Sequence, residues 1–335
     1  MDIEETRQRI AGPIAYPTTP FRKPSHGLGL GTVDEDTFRK QIRFLIDGGI
    51  GIIVPCGGTG EFFSLSLGEW QILVEVAMQE SEGDEVTIMP SVGGSITQAI
   101  EMAQVAERLG CDIVQITFLD PMFGVTEDGI YEYNRRIADS VSIAIMPYRT
   151  AAFPMSIELA KRLCEEVRNV AAFKEESGDV EWFREFVLET SGSVATVCGG
   201  GEALAPYYLL AGAKAFTSGI ANLVPRLSLE LYRAAVAHKW EEVLGIQSML
   251  RPLAAMRSRP GKMIPVIKEG LKMMGLTDDA YSRPPIMVLD EREKGELRRV
   301  LEDLGVRVTG RVDRPVARTG SANRKRRHPP GENHV

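Results

Sequence analysis

Lys174 stands at the end of the apolar run Val170-Ala171-Ala172-Phe173 and is followed at once by Glu175, Glu176 and the turn Ser177-Gly178-Asp179. Lysine is among the residues most costly to desolvate, so an ammonium at the end of a buried strand needs a reason. Either its stem packs and its head snorkels to water, or the amine is kept for chemistry. A desolvated lysine loses its proton more easily and becomes a nucleophile for a carbonyl. Of the two glutamates behind it, one is expected to face solvent while the other could balance a positive nitrogen; a plain solvated pair is the simpler alternative. A second stretch with chemical content is Gly57-Gly58-Thr59-Gly60, where the glycines permit a tight turn with exposed N–H groups and Thr59 adds a hydroxyl. Such a turn is either an anion cradle or a glycine-rich turn without a role. It is not a phosphate-binding P-loop, because no Gly-Lys-Ser/Thr follows and Glu61 would repel phosphate.

Eight short, β-branched-rich runs could position these residues: near 12, 51, 86, 112, 141, 170, 194 and 213. Between them lie amphipathic patterns such as "DEDTFRKQIRFLIDGG" and "SITQAIEMAQVAERLG", with apolar residues at helical spacing and glycine at the end. Eight alternating units predict an α/β fold, a (β/α)8 TIM barrel over residues 10–225, with active-site residues at the C-terminal ends of its strands. Helical patterns at 227–256, 260–275 and 290–304 predict a C-terminal helical extension over 226–305 that caps the barrel or builds an interface. A homo-tetramer or dimer is expected. Residues 306–335, poor in apolar side chains and rich in Arg, Pro and Gly, read as a disordered basic tail.

Composition narrows the function. The 335 residues are 44% hydrophobic with a net charge of −7, and the last 25 carry seven Arg/Lys against Asp313 and Glu332, which leaves −12 on the rest. An acidic body is a poor nucleic-acid surface, and small-molecule chemistry is expected instead. Cys56, Cys111, Cys164 and Cys198 are widely spaced, which indicates neither a zinc site nor a disulfide framework. His26, His238, His328 and His334 avoid the strand ends that a metal-dependent aldolase would need, so no metal is expected. The start of the chain, "MDIEETRQRI", has no apolar core of a signal peptide and no stretch is long enough for a membrane span, so a cytoplasmic protein is expected.

Taken together, "PTTPF" (17–21), "GGTGEFFSLSLGE" (57–69), "FKEESGD" (173–179), "SGIANLVP" (218–225), "GKMIPVIKEGLKMMG" and "SRPPI" (261–286) resemble the dihydrodipicolinate synthase and N-acetylneuraminate lyase superfamily over residues 10–305. "GGTGEFFSL" is closest to its 5-dehydro-4-deoxyglucarate dehydratase branch. The resemblance implies that Lys174 forms a Schiff base with an α-keto acid, without a cofactor, while Gly58, Thr59 and Gly60 take the substrate carboxylate. The family's proton-relay tyrosine on strand five falls on Pro147 if aligned along the strand, and on Tyr148 if counted back from Lys174. Tyr148 could equally be a strand-end packing residue. The second tyrosine of a true synthase is replaced by Phe123, which cannot carry a proton. Ser218 and Asn222 are expected beside a departing hydroxyl.

These readings lead to three functions. The first is a dehydratase-decarboxylase that converts 5-dehydro-4-deoxy-D-glucarate to 2,5-dioxopentanoate, carbon dioxide and water. The second is a retro-aldol lyase, aldolase or synthase-like enzyme on another α-keto acid. The third is an inactive or ligand-sensing homologue.

Overall fold

The computed structural model describes residues 2–24, 29–117 and 124–309. Eight strand positions close on themselves through parallel pairings. Gly12–Ala15 lies between Ile52–Ile53 and Ala215–Ser218. The third position, Thr87–Ile88 continued by Ser91–Gly93, joins Ile52–Ile53 to Ile113–Thr117. Ala144–Met146 continued by Tyr148–Arg149 is the fifth, paired to Ile113–Thr117 on one side and Ala172–Glu175 on the other. Ala195–Cys198 completes the ring between the sixth and eighth strands. The third and fifth strands are each interrupted at a proline, Pro90 and Pro147, which lacks the N–H a ladder needs. Their carbonyls still accept, Pro90 from the Gln115 N–H at 3.0 Å and Pro147 from the Lys174 N–H at 2.9 Å. The fold is a (β/α)8 barrel.

Alternation along the strands sorts every side chain. One row fills the barrel interior: Ile14, Ile52, Val54, Met89, Ile113, Ala144, Met146, Ala172, Ala195, Val197 and Ala215 are all buried there. The opposite row packs under the surrounding helices, as Phe173 does against Trp182 and Phe186. Those helices start where capping predicts. Asp34 accepts the Thr37 N–H ahead of Glu35–Asp47, and Ser66 and Ser95 form capping boxes with Glu69 and Gln98.

After the eighth strand come Pro225–Val236, Trp240–Arg257, Met263–Met274 and Glu291–Asp303. The single helix expected over 227–256 is two, because His238 takes a left-handed φ of 57° and interrupts it. These helices share one core with the barrel: Leu250, Leu253, Val266, Ile267 and Leu297 cluster with Phe183, Tyr208 and Phe216. The first residues of the tail expected over 306–335 are docked. Val306 and Val308 pack on this core, and Thr309 donates its N–H and hydroxyl to the Met273 carbonyl at 2.6 and 2.9 Å. The remainder of the tail, with His26, Phe123, His328 and His334, lies outside the described residues.

Candidate active site

Carried past the apolar interior toward the C-terminal ends of the strands, the inward row turns polar. It presents Tyr16 after Ile14, Gln115 and Thr117 after Ile113, Tyr148 after Met146, Lys174 and Glu176 after Ala172, and Thr217 after Ala215. All of these line one cavity of about 610 Å³, a size suited to a small acid.

Lys174 is 4% exposed, and its Nζ lies 2.9 Å from Glu176 Oε2, 3.9 Å from the centre of the Tyr148 ring and 4.9 Å from that of Tyr16. The Tyr148 hydroxyl donates to the same Glu176 oxygen, and the Tyr16 hydroxyl donates to Gln115 Oε1. Glu176 fits because residue 199 is glycine: a Cβ there would stand 2.4 Å from the Glu176 Cβ. Burial alone would push the Lys174 ammonium down, as expected from sequence. The Glu176 carboxylate, together with the phenol oxygens of Tyr148 and Tyr16, outweighs burial and holds it well above the ordinary lysine range. The amine is therefore stored protonated, with an acceptor in contact. Burial raises both phenols, Tyr148 and Tyr16, so they are neutral donors near pH 7.

Side-chain alternation also separates the two glutamates. Glu175 points away from the cavity, is fully buried, and accepts from Arg149 Nη1 and the Ser177 N–H, each at 2.7 Å, and from the Tyr208 hydroxyl. The Arg149 guanidinium is in turn stacked 4.2 Å over Trp182. This satisfied ion pair fixes the backbone of the sixth strand directly behind the lysine.

Gly58 and Thr59 line the cavity, and their N–H groups, like the Thr59 hydroxyl, donate to no acceptor among the described residues. The turn is held from beneath. Glu61, at a left-handed φ of 58°, is buried against the Lys268 ammonium and accepts the Arg283 N–H at 3.2 Å. Burial pushes Lys268 down to about 8. Gly60 turns away and accepts the Thr19 hydroxyl through its carbonyl at 2.6 Å.

Ser218 and Asn222 are not where they were expected. Ser218 belongs to the outward row; it is fully buried, donates to Glu202 and accepts the Ala221 N–H at 2.8 Å. Asn222 spends its amide on the Tyr16 and Gly219 carbonyls at 2.8 and 2.9 Å. Neither lines the cavity, whereas Thr217 does. Sequence reasoning did not single out Tyr16, Gln115, Glu202 or Arg257, which also line it. Tyr16 and Gln115 were legible by counting in twos from Ile14 and Ile113; Glu202 and Arg257 come from helices with no such signal.

Residues 10–304 match the model of the dihydrodipicolinate synthetase family. The chain is 28% identical over 313 residues to an Acinetobacter baumannii protein named "Probable 5-dehydro-4-deoxyglucarate dehydratase", covering 91% of this chain and 99% of that one. It is 29% identical over 303 residues to the 4-hydroxy-tetrahydrodipicolinate synthase of Chlorobium phaeobacteroides, with coverage of 89% and 98%. A crystal structure of dihydrodipicolinate synthase from Oceanobacillus iheyensis superposes with a TM-score of 0.83 at 26% identity, over 91% of this chain and 99% of that one.

Proposed function

This chain belongs to the dihydrodipicolinate synthetase family and is a lyase, and from that premise we propose that Lys174 forms an imine with a 2-keto sugar acid, 5-dehydro-4-deoxy-D-glucarate, and drives its dehydration and decarboxylation. The observation that carries the reading is the seating of the Lys174 amine in the cavity with Glu176 2.9 Å away and Tyr148 beside both. The name borne by the Acinetobacter relative supports the choice of substrate.

In this mechanism the keto acid carboxylate rests on the free N–H groups of Gly58 and Thr59. Glu176 takes the ammonium proton, the amine attacks the ketone, and Glu176 returns the proton to the carbinolamine hydroxyl, which leaves as water to give an iminium. The iminium acidifies the neighbouring carbon, whose proton passes to the Glu176 carboxylate, directly or through the Tyr148 hydroxyl that donates to it, and leaves an enamine. The enamine expels the β-hydroxyl, protonated by the Tyr148–Glu176 pair, as water. The resulting conjugated iminium draws in the electrons of the bond to the far carboxylate, which departs as carbon dioxide. Protonation and hydrolysis free the 2,5-dioxopentanoate and Lys174. Each proton moves between groups in contact, as positioned acid–base catalysis requires. No metal ion or organic cofactor has a part in it, and a dimer or tetramer belongs to the proposal as its assembly.

Incubation with 5-dehydro-4-deoxy-D-glucarate tests this directly. Equimolar carbon dioxide and semialdehyde are expected. Pyruvate without carbon dioxide would assign a retro-aldol reaction to the same lysine.

A further inference from the structure

Besides Lys174, Arg257 is the one cation lining the cavity among the described residues. It ends the helix Trp240–Arg257, and its Nε reaches the Met263 carbonyl at 3.4 Å. No carboxylate oxygen lies within 4 Å of its guanidinium among the described residues. The guanidinium lies directly against Gly219: a Cβ there would stand 2.1 Å from Arg257 Nη2, so a larger residue would displace it. Burial lowers its affinity for its proton, against the opposing fields of Glu202 and Glu176. A half-buried guanidinium on a cavity wall, with a carbonyl but no carboxylate beside it, is a ready seat for an incoming anion.

The neighbouring wall supplies a complementary group. Glu202 is 2% exposed, and its Oε1 accepts from the Ser228 hydroxyl at 2.6 Å and from Ser218. Its Oε2 is buried with no hydrogen-bond partner. Buried carboxylate oxygens are normally satisfied, and one left free on a cavity wall awaits a donor. An arginine fork pairs with a planar carboxylate, and a free carboxylate oxygen accepts from a hydroxyl.

We propose that Arg257 and Glu202 form a subsite for the far carboxylate, and the hydroxyl next to it, of a dicarboxylic 2-keto hydroxy acid. The inference rests on the reading that Lys174 holds the keto group. Arg257 selects a diacid over a monoacid; Glu202 selects a hydroxylated one over its deoxy analogue. Arg257 grips an anion that decarboxylation discharges, so its hold belongs to the bound substrate, and its loss falls on KM more than on kcat.

Borohydride trapping of the Lys174 adduct tests the subsite with two probes, pyruvate and 2-oxoadipate, a six-carbon diacid. In the parent enzyme, 2-oxoadipate is expected to half-saturate trapping at a concentration roughly ten- to a hundredfold below that for pyruvate, the worth of a charged hydrogen bond. In Arg257→Met, and in Gly219→Ala, where the guanidinium is pushed from its seat, that ratio should collapse toward one, and Arg257→Lys should restore part of it. A ratio kept in Arg257→Met, whether both probes hold or both weaken alike, overturns the subsite and leaves the lysine chemistry standing. A parent enzyme that traps neither probe overturns both.

Discussion

Lys174 and Glu176 meet at 2.9 Å because they are two residues apart on one strand end, and so share its inward row. The carboxylate keeps the amine charged against the pull of burial. Attack on a ketone needs the free amine, so trapping with pyruvate should accelerate toward alkaline pH. In Glu176→Gln burial prevails, the ammonium gives up its proton at lower pH, and the rise of the profile should move to lower pH. A profile that stays in place would show that Glu176 does not govern the proton of Lys174.

Lys268 provides a rival for the nucleophile. Its value of about 8 makes it the more readily deprotonated lysine, yet it is sealed against Glu61 and donates to the Tyr281 carbonyl at 2.8 Å. Position should prevail over basicity. Peptide mass mapping after borohydride reduction with pyruvate should find the adduct on Lys174 alone, and an adduct on Lys268 would refute the mechanism.

Tyr148→Phe keeps the ring beside Lys174 and removes only the hydroxyl. Carbon dioxide release should slow by roughly 10²–10⁴, the worth of positioned acid–base catalysis. Full activity in this variant would exclude a relay through Tyr148.

Thr59→Val deletes one donor facing the cavity. Binding of a 2-keto acid should weaken by roughly 1.5–3 kcal/mol, as for a hydrogen bond to a charged group. Steady-state kinetics with KM and kcat both unaltered would remove the Gly58–Thr59 turn from carboxylate binding.

Glu69 offers a stability test away from the chemistry. Arg283 grips it through Nη1 at 2.9 Å and through Nη2, and lowers its carboxyl from 4.5 to about 2. A depressed carboxylate stabilises the fold above its unfolded value, and that contribution is lost as pH falls from 4.5 toward 2. Melting temperature should fall steeply across that window in the parent and less steeply in Glu69→Gln, which should also melt lower at pH 7. Parallel curves would show the pair to be without consequence for folding.

The eight strands and Lys174 were legible because the barrel writes its period into the chain, with apolar runs of strand length between amphipathic helices. The finer site was partly legible by parity. Met146 lies inside the barrel, so Tyr148 shares its row and Pro147 does not; Ala215 is inside, so Thr217 lines the cavity and Ser218 does not. Distinguishing Glu175 from Glu176 needed the same count from Ala172. The protonation of Lys174 was illegible because it depends on three residues from three strand ends converging on one atom. Arg257 and Glu202 were hidden for a related reason: they stand 55 residues apart along the chain, on separate helices, and gain meaning only where the cavity wall joins them.

The docking of Thr309 on the Met273 carbonyl has a practical side. The helix Met263–Met274 begins with a residue of the cavity mouth and ends beneath that attachment, a span of roughly 15 Å at 1.5 Å per residue. A tether, affinity handle or fused cargo joined directly after Thr309 therefore departs at the opposite end of this helix from the entrance, so the enzyme can be immobilised there with its mouth open to the solution.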